Sequence, residues 1–158
     1  MSDDVSDDVP GEFSVGVVVD AAADDVWRAL TDPAAIAAWM REPAMDVRVA
    51  TSWQIGSPIV ITGFLHGRFE NRGVVLVSDG PRHLRYTHLS SISRLPDVAE
   101  SYTICDFVLA PLEQKTLLTA TFSGFPTVSI FKHLSFYWRG TLPILQRYVE
   151  GCCVVSAA

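Results

Sequence analysis

Tyr86 and His88 stand two residues apart in the segment HLRYTHLS, in which Leu84, Tyr86 and His88 alternate with Arg85 and Thr87. On a β-strand that spacing puts a phenol and an imidazole on one face beside a leucine. So placed, the two groups can orient a ligand carbonyl or hydroxyl, and His88 can exchange a proton near neutral pH. The same pair also reads as two amphipathic core side chains satisfied locally. Asp106 and Glu100 are the carboxylates an acid–base pair would recruit, but Asp106 falls on the outward phase of its strand and Glu100 at a loop end, so spacing fixes no partner. His66 and His133 are isolated and read as exposed or locally satisfied, and His83, alternating with Leu84, points outward. Cys105, Cys152 and Cys153 lack the paired spacing of a zinc site and read as reduced structural thiols. The chain has no Gly-rich phosphate loop, HExxH, G-x-S-x-G or CxxC, so neither metal nor cofactor is expected.

The elements that must position these groups are legible around them. Val15, Val17 and Val19 form a β-branched alternation ending at Asp20, after which the composition turns to alanine with helical spacing. Asp24 and Asp25 belong in a first helical turn, with Val26, Trp27 and Leu30 as the apolar face. Asp32 before Pro33 then signals a second helix start, whose buried face is Ile36, Trp39 and Met40. Strands follow at 45–51, 58–67, 69–78 and 82–90, with turn material at Trp53, Gly56, Ser57 and Pro58 and again at Asp79, Gly80 and Pro81. Residues 92–100 read as a loop around Pro96 and Asp97, and strands 102–109 and 116–124 are joined around Pro111 and Glu113.

Alternation separates the two sheet faces: Thr103, Cys105, Phe107 and Leu109 oppose Asp106, and Leu118, Ala120 and Phe122 oppose Thr119, Thr121 and Ser123. Such a pattern fits an antiparallel sheet with one solvated side. From 128 to 150, Phe131, Leu134, Trp138, Leu142, Leu145 and Val149 recur at helical spacing. Pro143 predicts a kink in this helix, and Gly151 a C-cap.

With 158 residues, 49% of them hydrophobic, the chain fits one domain with a substantial core. Asp3, Asp4, Asp7, Asp8 and Glu12 supply most of the net charge of −6 and leave a nearly neutral body. Residues 1–11 therefore read as a disordered acidic tail, 12–151 as the domain and 152–158 as a short C-terminal tail. The charge distribution offers no nucleic-acid surface. With neither a signal peptide nor an apolar run of about 20 residues, no membrane span is expected, and the location expected is cytoplasmic.

The string VVVDAAADDVWRALTDPAAIAAWM, residues 17–40, resembles the opening of the START-like helix-grip (SRPBCC) superfamily, with Trp27, Leu30, Thr31, Asp32, Pro33 and Trp39 at its offsets. Residues 73–87 resemble its central hairpin through Pro81, Arg82, Leu84, Tyr86 and Thr87. Thr116, Leu118, Thr119, Thr121, Ser123, Gly124 and Phe125 resemble the final strand of the branch of activator of heat-shock-protein-90 ATPase homologues and polyketide cyclase-like proteins. The resemblance covers residues 12–150. It implies an α+β helix-grip fold: a curved seven-stranded antiparallel sheet around a long C-terminal helix, two short helices after the first strand, and an apolar cavity between sheet and helix. His88 stands where the family pattern often has tryptophan.

Binding of a small hydrophobic ligand follows as the leading expectation, with Leu84, Tyr86, His88, Cys105, Phe107, Leu118, Phe122, Leu134 and Trp138 lining the cavity. Trp138, in mid-helix, is the aromatic best placed to cross the concave face, whereas Trp27 reads as structural. The alternatives are a polyketide cyclase- or dehydratase-like enzyme using His88 or Tyr86, and an interaction module that modulates a chaperone ATPase. A homodimer is compatible with the chain.

Overall fold

The computed structural model describes residues 9–40, 46–64 and 67–157, the last six through their backbone only. Expectations resting on residues 1–8, Met45, His66 and the side chains of Cys152 and Cys153 lie outside the described residues. Strand β1 (Glu12–Val19) leads into helices α1 (Ala23–Thr31) and α2 (Pro33–Met40). Strands β2 (Arg48–Ala50), β3 (Pro58–Phe64), β4 (Arg68–Asp79), β5 (His83–Ser90), β6 (Thr103–Leu112) and β7 (Lys115–Ser123) follow, and helix α3 (Val128–Ala157) closes the chain.

All seven strands form one curved antiparallel sheet in the order β1-β7-β6-β5-β4-β3-β2. Consecutive strands from β2 to β7 pair as hairpins, and β1 returns to pair β7 along its whole length, from Glu12 opposite Ser123 to Val19 opposite Thr116. This last pairing brings the short helices round to one end of the concave face. The loop expected at 92–100 contains two short 3-10 turns, Ser91–Ser93 and Ala99–Ser101.

Asp32 joins the two short helices. Its backbone N–H donates to the Arg28 carbonyl (2.8 Å) to end α1, while its side chain accepts from the Ala34 N–H (3.2 Å) to start α2. The face that α1 buries is Val26, Ala29 and Leu30; Trp27, expected on that face, is half-buried and packs at Gly80. A Cβ added at Gly80 would lie 2.6 Å from the Trp27 ring, so the indole occupies the space a side chain would need. Trp39 is fully packed, and its indole N–H donates to the Ala29 carbonyl at 2.8 Å, which satisfies its one polar atom within the core.

Helix α3 runs unbroken through Gly140 and Pro143 and past Gly151, so Gly151 is not its C-cap. Gly151 shows no left-handed backbone, and the helix continues for six residues beyond it. Across the concave face α3 buries Leu134, Trp138, Leu142, Leu145 and Val149, the spacing the sequence predicts. Trp138 stands at the centre of an aromatic cluster, with ring centroids 5.3 Å from Phe122, 5.5 Å from Phe107, 5.4 Å from Tyr137 and 6.2 Å from Trp39.

Where β4 and β5 pair, the register shifts between Val75 and Val77. Nearby, Gly73 lies so close to β5 that a Cβ there would fall 1.7 Å from the Thr87 carbonyl oxygen. Backbone cannot swing away as a flexible side chain can, so Gly73→Ala must prise the two strands apart. Chemical denaturation of this variant should show a loss of about 3 kcal/mol, the upper end of ordinary overpacking costs. The alanine at Gly140, whose site meets no atom within 4 Å, should lose nothing comparable.

Candidate functional site

Among the described residues, two spaces between the sheet and α3 differ in size by more than tenfold. The smaller, about 20 Å³, is bordered by Leu84, Tyr86, Phe107 and Trp138 together with Trp39, Trp53 and residues of α1, α2 and β3. That volume holds about one water molecule. The larger, about 380 Å³, lies beyond it toward the start of α3. Its walls are the end of β5 (His88, Leu89, Ser90), the following segment (Ile92, Ser93, Leu95), Ser101 and Thr103 at the start of β6, and Thr127, Ser129, Ile130, His133 and Leu134 from α3 and its approach.

The residues singled out by sequence are therefore divided. His88 and Leu134 border the larger cavity. Leu84, Tyr86, Phe107 and Trp138 border the small void, and Cys105, Leu118 and Phe122 are buried in the core without bordering either space. Sequence periodicity did put Tyr86 and His88 on one face, and the pairing of β5 with β6 agrees: Leu84 faces Phe107, Tyr86 faces Cys105 and His88 faces Thr103. The contents of the face change along it. Tyr86 stacks on Phe107 at 6.0 Å, whereas His88 looks into open space.

Residues that sequence reasoning left out of the site carry much of the cavity wall. Ile130, His133, Leu134 and Tyr137 follow helical spacing, the signal by which His133 could have been placed beside Leu134. Thr103 was assigned to the inward phase of its strand and proves fully buried. Ile92, Ser93 and Leu95 belong to an aperiodic segment whose packing no alternation encodes.

The electrostatics follow from burial. Desolvation pushes the Tyr86 hydroxyl and the Cys105 thiol well above their usual ranges, so both stay protonated and uncharged. The His88 imidazole is surrounded by protein and its open surface faces the cavity; burial first, and the charge of His133 second, pull its pKa from 6.5 to about 4. Among the described residues the ring has no hydrogen-bond partner. At pH 7 it is a neutral base. Asp106, by contrast, lies on the opposite face and accepts from His83 (2.5 Å) and from Arg85 Nε (2.8 Å), so it is a structural anchor of the outer surface. Glu100 sits exposed on the second 3-10 turn. Among the described residues no group of His, Cys, Asp and Glu side chains could hold a metal ion, and no helix is long and apolar enough to cross a membrane.

A curved antiparallel sheet closed on one long helix, with two short helices at the end of the cleft, defines a helix-grip domain of the START-like (SRPBCC) class, an architecture that commonly holds ligands. Residues 20–150 match the family described as Activator of Hsp90 ATPase homolog 1-like protein, and the chain belongs to that family. The solution structure of ChR145 from Cytophaga hutchinsonii superposes with a TM-score of 0.76 at 26% identity, covering 93% of this chain and 99% of that one. Two crystal structures share the fold at lower identity. CV1439 from Chromobacterium violaceum has a TM-score of 0.73 at 22% identity, covering 89% of this chain and 99% of that one. CalU16 from Micromonospora echinospora has a TM-score of 0.66 at 19% identity, covering 88% and 76%. No curated protein is significantly similar in sequence.

The lowered proton affinity of His88 has a direction in pH. Folding holds the ring neutral, so between pH 6.5 and about 4 the unfolded chain takes up a proton that the folded one does not, and stability falls as pH drops through that window. NMR titration should place the His88 midpoint near 4. His88→Gln should lose less melting temperature than the wild type between pH 7 and pH 4.5; a midpoint above 6 would contradict the assignment.

Proposed function

We propose that this protein binds a small hydrophobic ligand in the cavity between the sheet and α3. The observation that carries the reading is the 380 Å³ space itself, within the range of small-molecule sites, whose apolar wall is Leu89, Ile92, Leu95, Ile130 and Leu134, interspersed with Ser and Thr hydroxyls and the two histidines. Burial of apolar surface drives the binding, and His88 fixes orientation through a hydrogen bond to a ligand oxygen. Tyr86, Phe107, Phe122 and Trp138 lie outside this lining, in the packed core that Leu134 adjoins. Lipids, aromatic polyketides and other hydrophobic metabolites are the compounds to screen, by thermal shift and native mass spectrometry. Members of that set should raise the melting temperature and appear as a one-to-one complex. Ile130→Trp, which fills the cavity from a half-buried position on α3, should abolish the complex while the protein remains folded. If no apolar compound binds, or the filled variant binds as well as the wild type, the reading fails.

A second reading is a polyketide cyclase- or dehydratase-like reaction. It is favoured by one arrangement: the unpaired, neutral His88 ring borders the same enclosed space as the hydroxyl-bearing Ser101 and Thr103, so a proton could be withdrawn from a folded chain held there. Tyr86 lies outside that lining, and its hydroxyl stays protonated. Turnover of a polyketide substrate should then vanish in His88→Ala and survive in Tyr86→Phe; turnover that persists in His88→Ala removes the histidine from any mechanism.

A further inference from the structure

We propose that the ligand is an apolar acid, whose hydrocarbon part packs on Leu89, Leu95, Ile130 and Leu134 and whose single carboxylate sits against His88 and His133. The inference rests on the reading of this cavity as a ligand site and adds the charge of what enters it.

The cavity wall carries two ionisable side chains, and both are bases. No Asp, Glu, Lys or Arg borders the space, so no carboxylate on the wall repels an anion. Neither imidazole has a hydrogen-bond partner among the described residues: His88 faces the cavity, and His133, exposed at its rim, has only a ring stacked on Tyr137 at 6.4 Å. The His88 ring, half-buried in the wall, lacks an acceptor, and a carboxylate supplies one, with His133 at the rim as a second donor. A third feature has the same sign. Thr127, Ser129 and Ile130 border the cavity at the beginning of α3, so the positive end of a 30-residue helix faces it.

Surrounding charges do not offset this preference. Glu70 and Asp97 lie across the 91–101 segment, where both are held by Arg72 and Asp97 also accepts from Tyr102. Asp106, His83 and Arg85 occupy the far face of the sheet, where they bond one another. Glu100 and Arg94 on the segment, and Lys132 on α3, are exposed and outside the lining. An amine entering the cavity thus meets bases and a helix N-terminus, an alcohol forgoes the charge attraction, and an acid satisfies both rings. Binding of the anion should draw protons onto the histidines, so affinity should rise as pH falls until the ligand itself is protonated.

Octanoate, octan-1-ol and octylamine share one chain and differ in charge, and NMR titration of the full-length protein can compare them. Octanoate should bind at least tenfold more tightly than octan-1-ol at pH 6, the ratio should shrink toward one at pH 8.5, and octylamine should bind more weakly than either. In the double variant His88→Gln, His133→Gln, octanoate should lose its advantage while octan-1-ol still binds, which shows that the cavity is intact. Equal or tighter binding of the alcohol at pH 6 overturns the acid preference, an octanoate preference that survives in the double variant overturns the seat of the carboxylate against His88 and His133, and either result leaves the cavity reading standing. Failure of all three compounds to bind overturns both.

Discussion

The contact on which the rest of the structure depends is the one between Trp138 and the sheet. Its ring is stacked on Phe122 at 5.3 Å and meets Phe107 edge-on at 5.5 Å, so one residue of α3 is locked to two adjacent strands at once. Aromatic pairs of this kind contribute about 0.5–1.5 kcal/mol each beyond the area they bury. Tyr137 and Trp39 add contacts from the flank, and Trp39 is itself tied to α1 through the Ala29 carbonyl. Helix, sheet and short helices therefore meet at one point. From that point the residues preceding Trp138 extend two to three turns, about 15 Å at 1.5 Å per residue, and carry Leu134, His133 and Ile130 out over the ends of β5 and β6. The cavity lies where these first turns pass the ends of β5 and β6, while on their other side Phe131 packs edge-on against Phe13 of β1 at 6.4 Å.

The same arrangement divides the polar chemistry of the sheet. On the concave side the aromatic cluster ends at Tyr86, and the next inward position, His88, meets open volume. On the convex side Arg85, Asp106 and His83 satisfy one another across β5 and β6, close to solvent. Such partly exposed pairs contribute little to stability individually. Their effect is to occupy the carboxylate that would otherwise be the natural partner of a histidine on this strand pair. His88 is left without one, so nothing offsets the burial that lowers its proton affinity: the only acid on the facing strand points the other way.

Period-two alternation and the two helix starts made most of the fold legible, because the inward phase of β5, β6 and β7 carries Leu84, Tyr86, Phe107, Leu109, Leu118 and Phe122 while Arg85, Asp106, Thr119 and Thr121 take the outward one. Alternation reports only which face a residue occupies. It cannot distinguish Tyr86, packed against Phe107, from His88 two positions on, because the difference is made by what α3 puts opposite them. The aperiodic segment after β5 illustrates the limit further. Ile92, Ser93 and Leu95 read as a loop, and nothing in their order reveals that they fold back as a cavity wall. Trp27 shows the reverse: its helical spacing suggested burial, but the tight turn at Gly80 gave it a half-exposed site outside the cleft. The unbroken course of α3 through Gly151 was hidden because glycine ends helices only where the backbone turns left-handed, and here it does not.

An apolar space of this size must be kept from collapsing, since any loose wall would close over it and recover the lost contacts. On the core side the space is bordered by Leu134 and Thr103, both buried. The outer wall is a segment with few large buried side chains, so its position must come from polar ties. Ser90 and Ser93 brace its first turn, the Ser90 hydroxyl accepting from the Ile92 N–H (3.2 Å) and the Ser93 hydroxyl donating to the Ser90 carbonyl (2.7 Å). On its far side the Glu70 N–H donates to the Ser91 hydroxyl (2.9 Å), Arg72 reaches Asp97, and the Tyr102 hydroxyl donates to Asp97 (2.6 Å). Each tie is weak alone, but together they attach the segment to β4 at one end and β6 at the other, on the side away from the cavity. The position of this wall therefore rests on its hydrogen bonds to β4 and to Tyr102 more than on apolar packing.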